Sequence, residues 1–241
     1  MNNSSIKKFY NELGGEYSKG WVNPGMKVIS NFEETFVRKT LEGVVEEMHP
    51  NKVCVLDIGV GSGRISKNLI SFDSVSYYGV DIADTMVSVV KESLTGYPGF
   101  REVKTNDISK GIEYEADKFD FISCIRVLKY NSNWKWILGD IYRVLSKDGT
   151  LVFTLPNRCS LNYFSRGKLP MHGTTIKGIR SVLKDLGFRD VHIERGFKMP
   201  DIMYYVTSNE KLLRLYVVLE EVLYRLLGPA FSRGLYITCR K

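Results

Sequence analysis

Val53-Cys54-Val55-Leu56-Asp57-Ile58-Gly59-Val60-Gly61-Ser62-Gly63 is the stretch that decides the fold. An apolar run of strand length ends in a glycine-rich turn and leads into a helix from Arg64 to Ile70. Such a turn places free backbone N–H groups and the positive end of a helix beside a bound group, and its glycines let the backbone approach that group closely. A Gly-x-Gly-x-Gly run alone is compatible with several nucleotides. Two departures narrow the choice. Arg64 stands where the dinucleotide fingerprint needs Gly or Ala, and no Gly-Lys-Ser/Thr of a phosphate-binding loop follows. Asp57, at the strand end, would repel a pyrophosphate and favour a ligand bearing a cationic amine.

Outward from this point, apolar runs of strand length alternate with helical patterns, as in βαβ units with a mainly parallel sheet. Tyr77–Asp81 reads as the second strand, Thr85–Leu94 as a helix, and Phe100–Thr105 as the third strand. Phe119–Ile125 is the fourth, nearly all apolar as befits a central strand covered on both faces. Trp134, Ile137, Leu138, Ile141 and Leu145 share one helical face, Ser146-Lys147-Asp148-Gly149 ends that helix, and Thr150–Leu155 is a fifth strand stopped by Pro156. A helix over Thr175–Leu186 is capped by Thr174 or Thr175 and closed by Gly187. Val191–Glu194 and Leu235–Cys239 complete a seven-strand set, while residues 1–48 and 198–233 read as helical, with an amphipathic stretch over Phe32–Met48.

The length of 241 residues, with 44% hydrophobic and 25% charged residues, suits one domain with a full core and no need of a disulfide or structural metal. Cys54, Cys124, Cys159 and Cys239 are far apart and form no Cys-x-x-Cys pair, so free thiols and a reducing, cytoplasmic compartment are expected. The N-terminus lacks the layout of a signal peptide, and no apolar run reaches the ~18 residues of a membrane span. The formal charge of +7 would attract anionic partners, but the bases are scattered, which describes a generally basic solvated surface. In 198–233 the apolar face around Leu212–Leu219 is wide, but Glu220, Glu221 and Arg225 rule out a buried span. That segment either packs over a pocket or a subunit partner, or makes peripheral contact with a membrane.

Val55–Gly63 resembles the first motif of class I S-adenosylmethionine (SAM) dependent methyltransferases, and Gly79-Val80-Asp81-Ile82-Ala83-Asp84-Thr85-Met86 resembles the second. Asn106-Asp107-Ile108, Phe119–Leu128 and Leu145–Leu151 are similar to three further motifs in the same order, although the fifth has Lys147-Asp148-Gly149 where the family usually has Pro-Gly-Gly. Phe9-Tyr10-Asn11 and Tyr17–Trp21 resemble an aromatic element that folds over the cofactor in small-molecule members. The resemblance implies an α/β, Rossmann-like seven-stranded sheet with helices on both faces. It implies one domain over 1–241: an N-terminal helical cap (1–48), a SAM-binding core (50–197), a helical insertion (198–233) and a last strand (234–241). The implied cofactor residues are Tyr10, Tyr17, Asp57, Gly59, Gly61, Gly63, Asp81, Ile82, Met86, Asp107, Ile108 and Ile125. Asp81 would take both ribose hydroxyls, Asp107 would face the adenine amine, and S-adenosylhomocysteine (SAH) would be the product.

Methyl transfer from a sulfonium needs mainly a closed site that holds the nucleophile at near-attack distance, so no catalytic motif has to be visible. Two residues are candidates on the acceptor side: Arg126, which could bind a carboxylate or phosphate at the mouth of the fourth strand, and His172, which could act as general base. Cys124-Ile125-Arg126-Val127 replaces the Asn/Asp-Pro-Pro-Tyr/Phe of amino-directed nucleic-acid enzymes, and no basic-aromatic stripe is present. The expected activity is therefore methylation of an oxygen or nitrogen of a small, amphiphilic or anionic acceptor. RNA methylation and SAM binding without catalysis are the rival readings, and the three histidines suggest no metal site.

Overall fold

The computed structural model describes residues 3–14, 20–160, 169, 171–194 and 196–241. A seven-stranded sheet forms its centre, in the order β3-β2-β1-β4-β5-β7-β6. The strands are β1 (Val53–Ile58), β2 (Val75–Asp81), β3 (Phe100–Thr105), β4 (Phe119–Cys124), β5 (Leu145–Pro156), β6 (Arg189–Glu194) and β7 (Gly234–Arg240). β1 pairs in parallel with β2 and β4, β2 with β3, and β4 with β5, whereas β7 runs antiparallel to both β5 and β6. The chain builds β1, β2 and β3 outward in one direction and then returns to place β4 on the other side of β1. The crevice beyond the C-terminal ends of β1 and β4 is thus the switch point at which open parallel sheets bind ligands.

Eight α-helices accompany the sheet among the described residues: α1 (Asn3–Leu13), α2 (Pro24–Met48), α3 (Arg64–Leu69), α4 (Asp84–Leu94), α5 (Trp134–Val144), α6 (Ile176–Leu186), α7 (Asp201–Val206) and α8 (Glu210–Leu227). One apolar layer joins Val37 and Leu41 of α2, Leu69 of α3 and Val90 of α4 to Val53 and Val55 of β1. The other joins Ile137 and Ile141 of α5 and Ile179 and Leu183 of α6 to Leu56, Ile122 and Leu151. β1 and β4 are covered on both sides, which is why their sequences are nearly continuous apolar runs. Thr175 caps α6 by accepting from the Gly178 N–H at 3.0 Å, and Gly187 closes it at φ +92°.

Two local expectations are corrected. The fifth strand does not start at Thr150 after Ser146–Gly149 ends the helix: α5 ends at Val144 and β5 begins at Leu145. Leu145 pairs with Phe119 and Thr150 with Phe121, so the turn residues bulge out of a continuous strand, with Asp148 at φ +64°. The second correction concerns α8. Glu220, one of the three charges expected to keep this segment from being buried, is itself buried: its carboxylate accepts the backbone N–H of Lys198 and Met199 and the hydroxyl of Tyr204. Leu213, Tyr216 and Glu220 face inward, while Leu212, Leu215, Leu219, Val222 and Leu226 are exposed. No helix among the described residues is long and apolar enough to cross a membrane.

Candidate active site

A cavity of about 370 Å³ lies over the β1/β4 crevice. Its strand-built end is lined by Gly59, Gly61, Asp81, Ile82, Asp107 and Ile108, from the loops after β1, β2 and β3. The glycine loop is fixed onto β2: Gly59 N donates to Val80 O at 2.7 Å, and Gly61 N to Asp81 Oδ2 at 2.9 Å. Gly59, Gly61 and Gly63 all have positive φ, and a Cβ on Gly59 would sit 2.1 Å from Val127 Cγ2. Backbone at Gly59 thus touches the segment that leaves β4.

Asp81 is nearly buried, and its other carboxylate oxygen accepts from Ala83 N at 2.9 Å. Burial pushes its carboxyl up, against the amide hydrogen bonds from Ala83 and Gly61. Asp107 Oδ1 accepts from Asn3 of α1 at 2.8 Å and from the Ser109 hydroxyl at 2.7 Å. This end fits an adenosine. Glycine backbone lines it without side chains, the Asp81 oxygens keep lone pairs for ribose hydroxyls, and Ile82 and Ile108 give apolar wall for a base. The lining there contains no cation to receive a pyrophosphate, since the lining cations among the described residues, Arg126 and Lys129, come from the other end.

That other end is built from helices and turns: Trp21, Met26 at the start of α2, Tyr205 of α7, and Arg126, Lys129 and Tyr130 after β4. Glu33 of α2 organises it. Glu33 is 1% exposed and accepts from Arg126 Nε at 2.6 Å, from Arg64 at 2.7 Å and from the Tyr236 hydroxyl at 3.0 Å. Burial would raise the Glu33 carboxyl, but the Arg126 and Arg64 guanidiniums outweigh it and hold the group below its ordinary range. Trp21 covers both guanidiniums, with ring-to-charge distances of 4.4 Å to Arg64 and 4.8 Å to Arg126. Arg126 itself is held at φ +64° by its N–H donating to the Thr154 hydroxyl at 2.7 Å.

The structure brings together Tyr10, Gly59, Gly61, Asp81, Ile82, Asp107, Ile108, Ile125 and Arg126 around one cavity. Gly63 and Met86 are not in its wall: Gly63 is the N-cap of α3, and Met86 is buried in α4. Asp57 is also outside the wall: it lies beneath the loop at 2% exposure, accepting from Ser66 at 2.7 Å and Tyr77 at 3.3 Å. Burial pushes its carboxyl up to about 6. His172 is not a wall residue either; only its backbone N–H reaches toward the site, donating to Lys129 O at 2.6 Å. Tyr17 lies outside the described residues. The sequence reading missed Lys129, Tyr130 and Glu33. For Glu33 a signal existed, since it occupies the stripe Ile29–Glu33–Val37–Leu41 at helical spacing.

Residues 56–153 match a family described as a methyltransferase domain. The chain is 28% identical over 137 residues to a ribosomal protein L11 methyltransferase of Enterococcus faecalis, covering 55% of this chain and 40% of that one. It is 24% identical over 160 residues to a ubiquinone biosynthesis O-methyltransferase of Glaesserella parasuis, covering 65% of this chain and 64% of that one. It therefore spans less than two thirds of the length of either. The fold is shared with magnesium protoporphyrin IX methyltransferase from Synechocystis PCC 6803, solved with bound SAH, at a TM-score of 0.66, 15% identity and 100% coverage of both chains.

Proposed function

We propose, from the premise that this chain carries a class I SAM-dependent methyltransferase domain, that it methylates an oxygen or nitrogen of a small anionic acceptor with an apolar portion. The observation that carries this reading is that one cavity joins the adenosine-shaped end to an end walled by two cations and by Trp21, Met26 and Tyr205. Bound there, SAM supplies a methyl group already activated on a sulfonium. Asp81 would receive the ribose hydroxyls, and Asp107, kept in place by Asn3 and Ser109, would face the base. Arg126, aimed by Glu33, would hold the anionic group of the acceptor. Tyr205 belongs to the cavity wall and also to an exposed apolar stretch with Ile202 and Val206, which suits an acceptor whose apolar portion extends from the site.

Fixing the acceptor beside the methyl group is the main task of such a site. Asn3 of α1 reaches Asp107 in the cavity wall, and α1 is tied to α4 outside the cavity by Lys7 to Asp84 at 2.8 Å and Asn11 to the Thr85 hydroxyl at 3.1 Å. The test is calorimetric titration with SAM and SAH, followed by SAH release with a panel of phenolic acids, alkyl phosphates, uncharged phenols and RNA. The reading predicts micromolar binding and turnover confined to the anionic small molecules. Turnover on RNA or on uncharged phenols alone would replace the acceptor assignment, and a folded protein that ignores SAM would overturn the reading as a whole.

A further inference from the structure

The cavity wall holds a cluster of titratable groups that cofactor binding does not use. Lys129 and Tyr130 stand on a 3-10 turn, Leu128–Tyr130, a few residues past the end of β4. The Tyr130 hydroxyl is 2.9 Å from the hydroxyl of Tyr10 on α1, and Lys129 Nζ lies 4.7 Å from the Tyr130 ring centroid. All three residues line the cavity. The turn is held firmly: Leu128 is fully buried, Tyr130 N donates to Val127 O at 3.1 Å, and the Lys129 carbonyl accepts from His172 N at 2.6 Å. Val127, which starts the turn, is the residue in contact with Gly59. A phenol and an ammonium are thus presented together at the acceptor end of the cavity.

We infer that Tyr130 accepts the proton of the acceptor's nucleophile, with Lys129 stabilising the phenolate and Tyr10 donating a hydrogen bond to it. The inference rests on the methyltransferase reading above. In the step, the acceptor's X–H bond breaks and its proton goes to the Tyr130 oxygen. The freed pair forms the new bond to the methyl carbon, and the pair of the broken carbon–sulfur bond stays on sulfur. The sulfonium and phenolate charges are both lost, so charge balances, and the Tyr130 phenol then returns its proton to water. Burial works to raise the Tyr130 hydroxyl, but the Lys129 charge, the Tyr10 hydrogen bond and the Arg126 charge outweigh it and hold the group below the usual phenol range. Burial pushes the Lys129 ammonium down, the Tyr130 hydroxyl acts against that, and Arg126 and Arg233 act with it, leaving the group below its ordinary range. The wall carboxylates Asp81 and Asp107 belong to the cofactor end, where Gly61, Ala83, Asn3 and Ser109 engage them.

The experiment begins without cofactor or acceptor, as an optical titration of tyrosinate absorbance on the whole protein, with Tyr130→Phe and Lys129→Met beside wild type. The expected result is one tyrosine ionising ahead of the other 13 of the 14 in the chain, absent in Tyr130→Phe and moved up toward about 10 in Lys129→Met. Superposed curves for wild type and Tyr130→Phe would overturn the inference. The second arm uses the phenolic acid or phosphate that turns over best. Tyr130→Phe should lower kcat about 100-fold with unchanged SAM affinity, the low end of a general base's contribution, and Lys129→Met should displace the acid limb of the kcat–pH profile upward. An early-titrating Tyr130 whose removal leaves kcat and its pH profile intact would also overturn it. Failure of SAM binding in wild type would instead remove the premise while leaving the titration curves unchanged.

Discussion

The two ends of the cavity are made by different means. At the adenosine end, position is set by backbone: three strands of one parallel sheet deliver their C-terminal loops to the same crevice, and Gly59 and Gly61 are locked by hydrogen bonds to β2 and Asp81. At the acceptor end, position is set by side chains from segments far apart in the chain. Glu33, Arg64, Arg126 and Tyr236 meet through one carboxylate, with Trp21 laid across the guanidiniums. Backbone-built sites tolerate most side-chain changes but not changes of backbone shape. A side-chain network depends on every member, because removing one leaves the others buried and uncompensated.

The sharpest way to break the acceptor end is therefore Glu33→Gln. It leaves the Arg64 and Arg126 charges without their shared carboxylate, and removing one partner of a buried ion pair typically costs about 3–5 kcal/mol. At roughly 2–4 °C per kcal/mol for a chain of this size, the melting temperature should fall by about 10 °C. SAM affinity of the folded fraction should stay within a few-fold. Loss of SAM affinity without loss of stability would show the two ends to be one unit. Next comes Asp81→Ala, which removes the proposed ribose partner and also the acceptor for Gly61 N and Ala83 N. Two charge-assisted hydrogen bonds, each worth about 1.5–3 kcal/mol, imply at least a 100-fold loss of SAM affinity by calorimetry. Retained affinity would mean the ribose is held elsewhere.

Gly59→Ala should affect both ends together. Its Cβ would lie 2.1 Å from Val127 Cγ2 at a φ of +80°, so either the loop or the turn carrying Lys129 and Tyr130 must shift. A cost of about 1–3 kcal/mol in urea unfolding is expected, with a tenfold or greater loss of SAM affinity. Adding Val127→Ala should recover the packing part and leave the backbone part. A double variant no better than Gly59→Ala would show that the strain lies in the φ angle alone.

The pH response separates two buried acids with opposite signs. Asp57 is raised to about 6 in the folded protein, so the folded state holds its proton more tightly than the unfolded state, whose value is near 3.9. Stability should therefore fall as pH rises from about 4 to 6, and the penalty is complete above that, on the order of 3 kcal/mol. Asp57→Asn should flatten this slope in urea titrations at pH 4, 5 and 7. Glu33 is lowered below its ordinary value of 4.5, so its contribution is present above that value and is lost as pH falls through the lower folded one. A slope between pH 4 and 6 that survives Asp57→Asn would assign it to another group.

The adenosine end was legible because its information is local. Strand, turn and helix follow one another between Val53 and Leu69, and the acid at the end of β2 is where the motif order puts it. Asp57 shows the limit of such local information: sequence places a residue at a strand end but does not say whether it points into the cavity or, as Asp57 does, under the loop. The acceptor end was largely illegible because its contacts are remote. Tyr10 and Tyr130 are separated by 120 positions, and Glu33 and Tyr236 by 203. The 3-10 turn carrying Lys129 has no periodicity to betray it. Glu33 and Glu220 form an instructive pair, each an acid on the buried stripe of an otherwise amphipathic helix. A charge on such a stripe is a sign of a buried partner, and on α8 it also marks which of two apolar faces points inward.

His172 provides the finest discrimination between the two modes of construction. It contributes to the acceptor end through backbone alone, its N–H holding the Lys129 carbonyl at 2.6 Å, while its imidazole is not in the cavity wall. His172→Ala keeps that N–H, so stability should change by no more than about 0.5 kcal/mol and turnover should stay within about twofold, since no mechanistic group is lost. His172→Pro removes the donor, frees the turn that positions Lys129 and Tyr130, and should reduce acceptor turnover while leaving SAM affinity intact. A large loss of kcat in His172→Ala would return the imidazole to the role of general base and displace Tyr130 from it. Equal and small effects of Ala and Pro would mean that the turn is already fixed by Leu128 and the Val127 carbonyl, and that the side-chain-built end borrows less rigidity from its neighbouring backbone than the 2.6 Å contact implies.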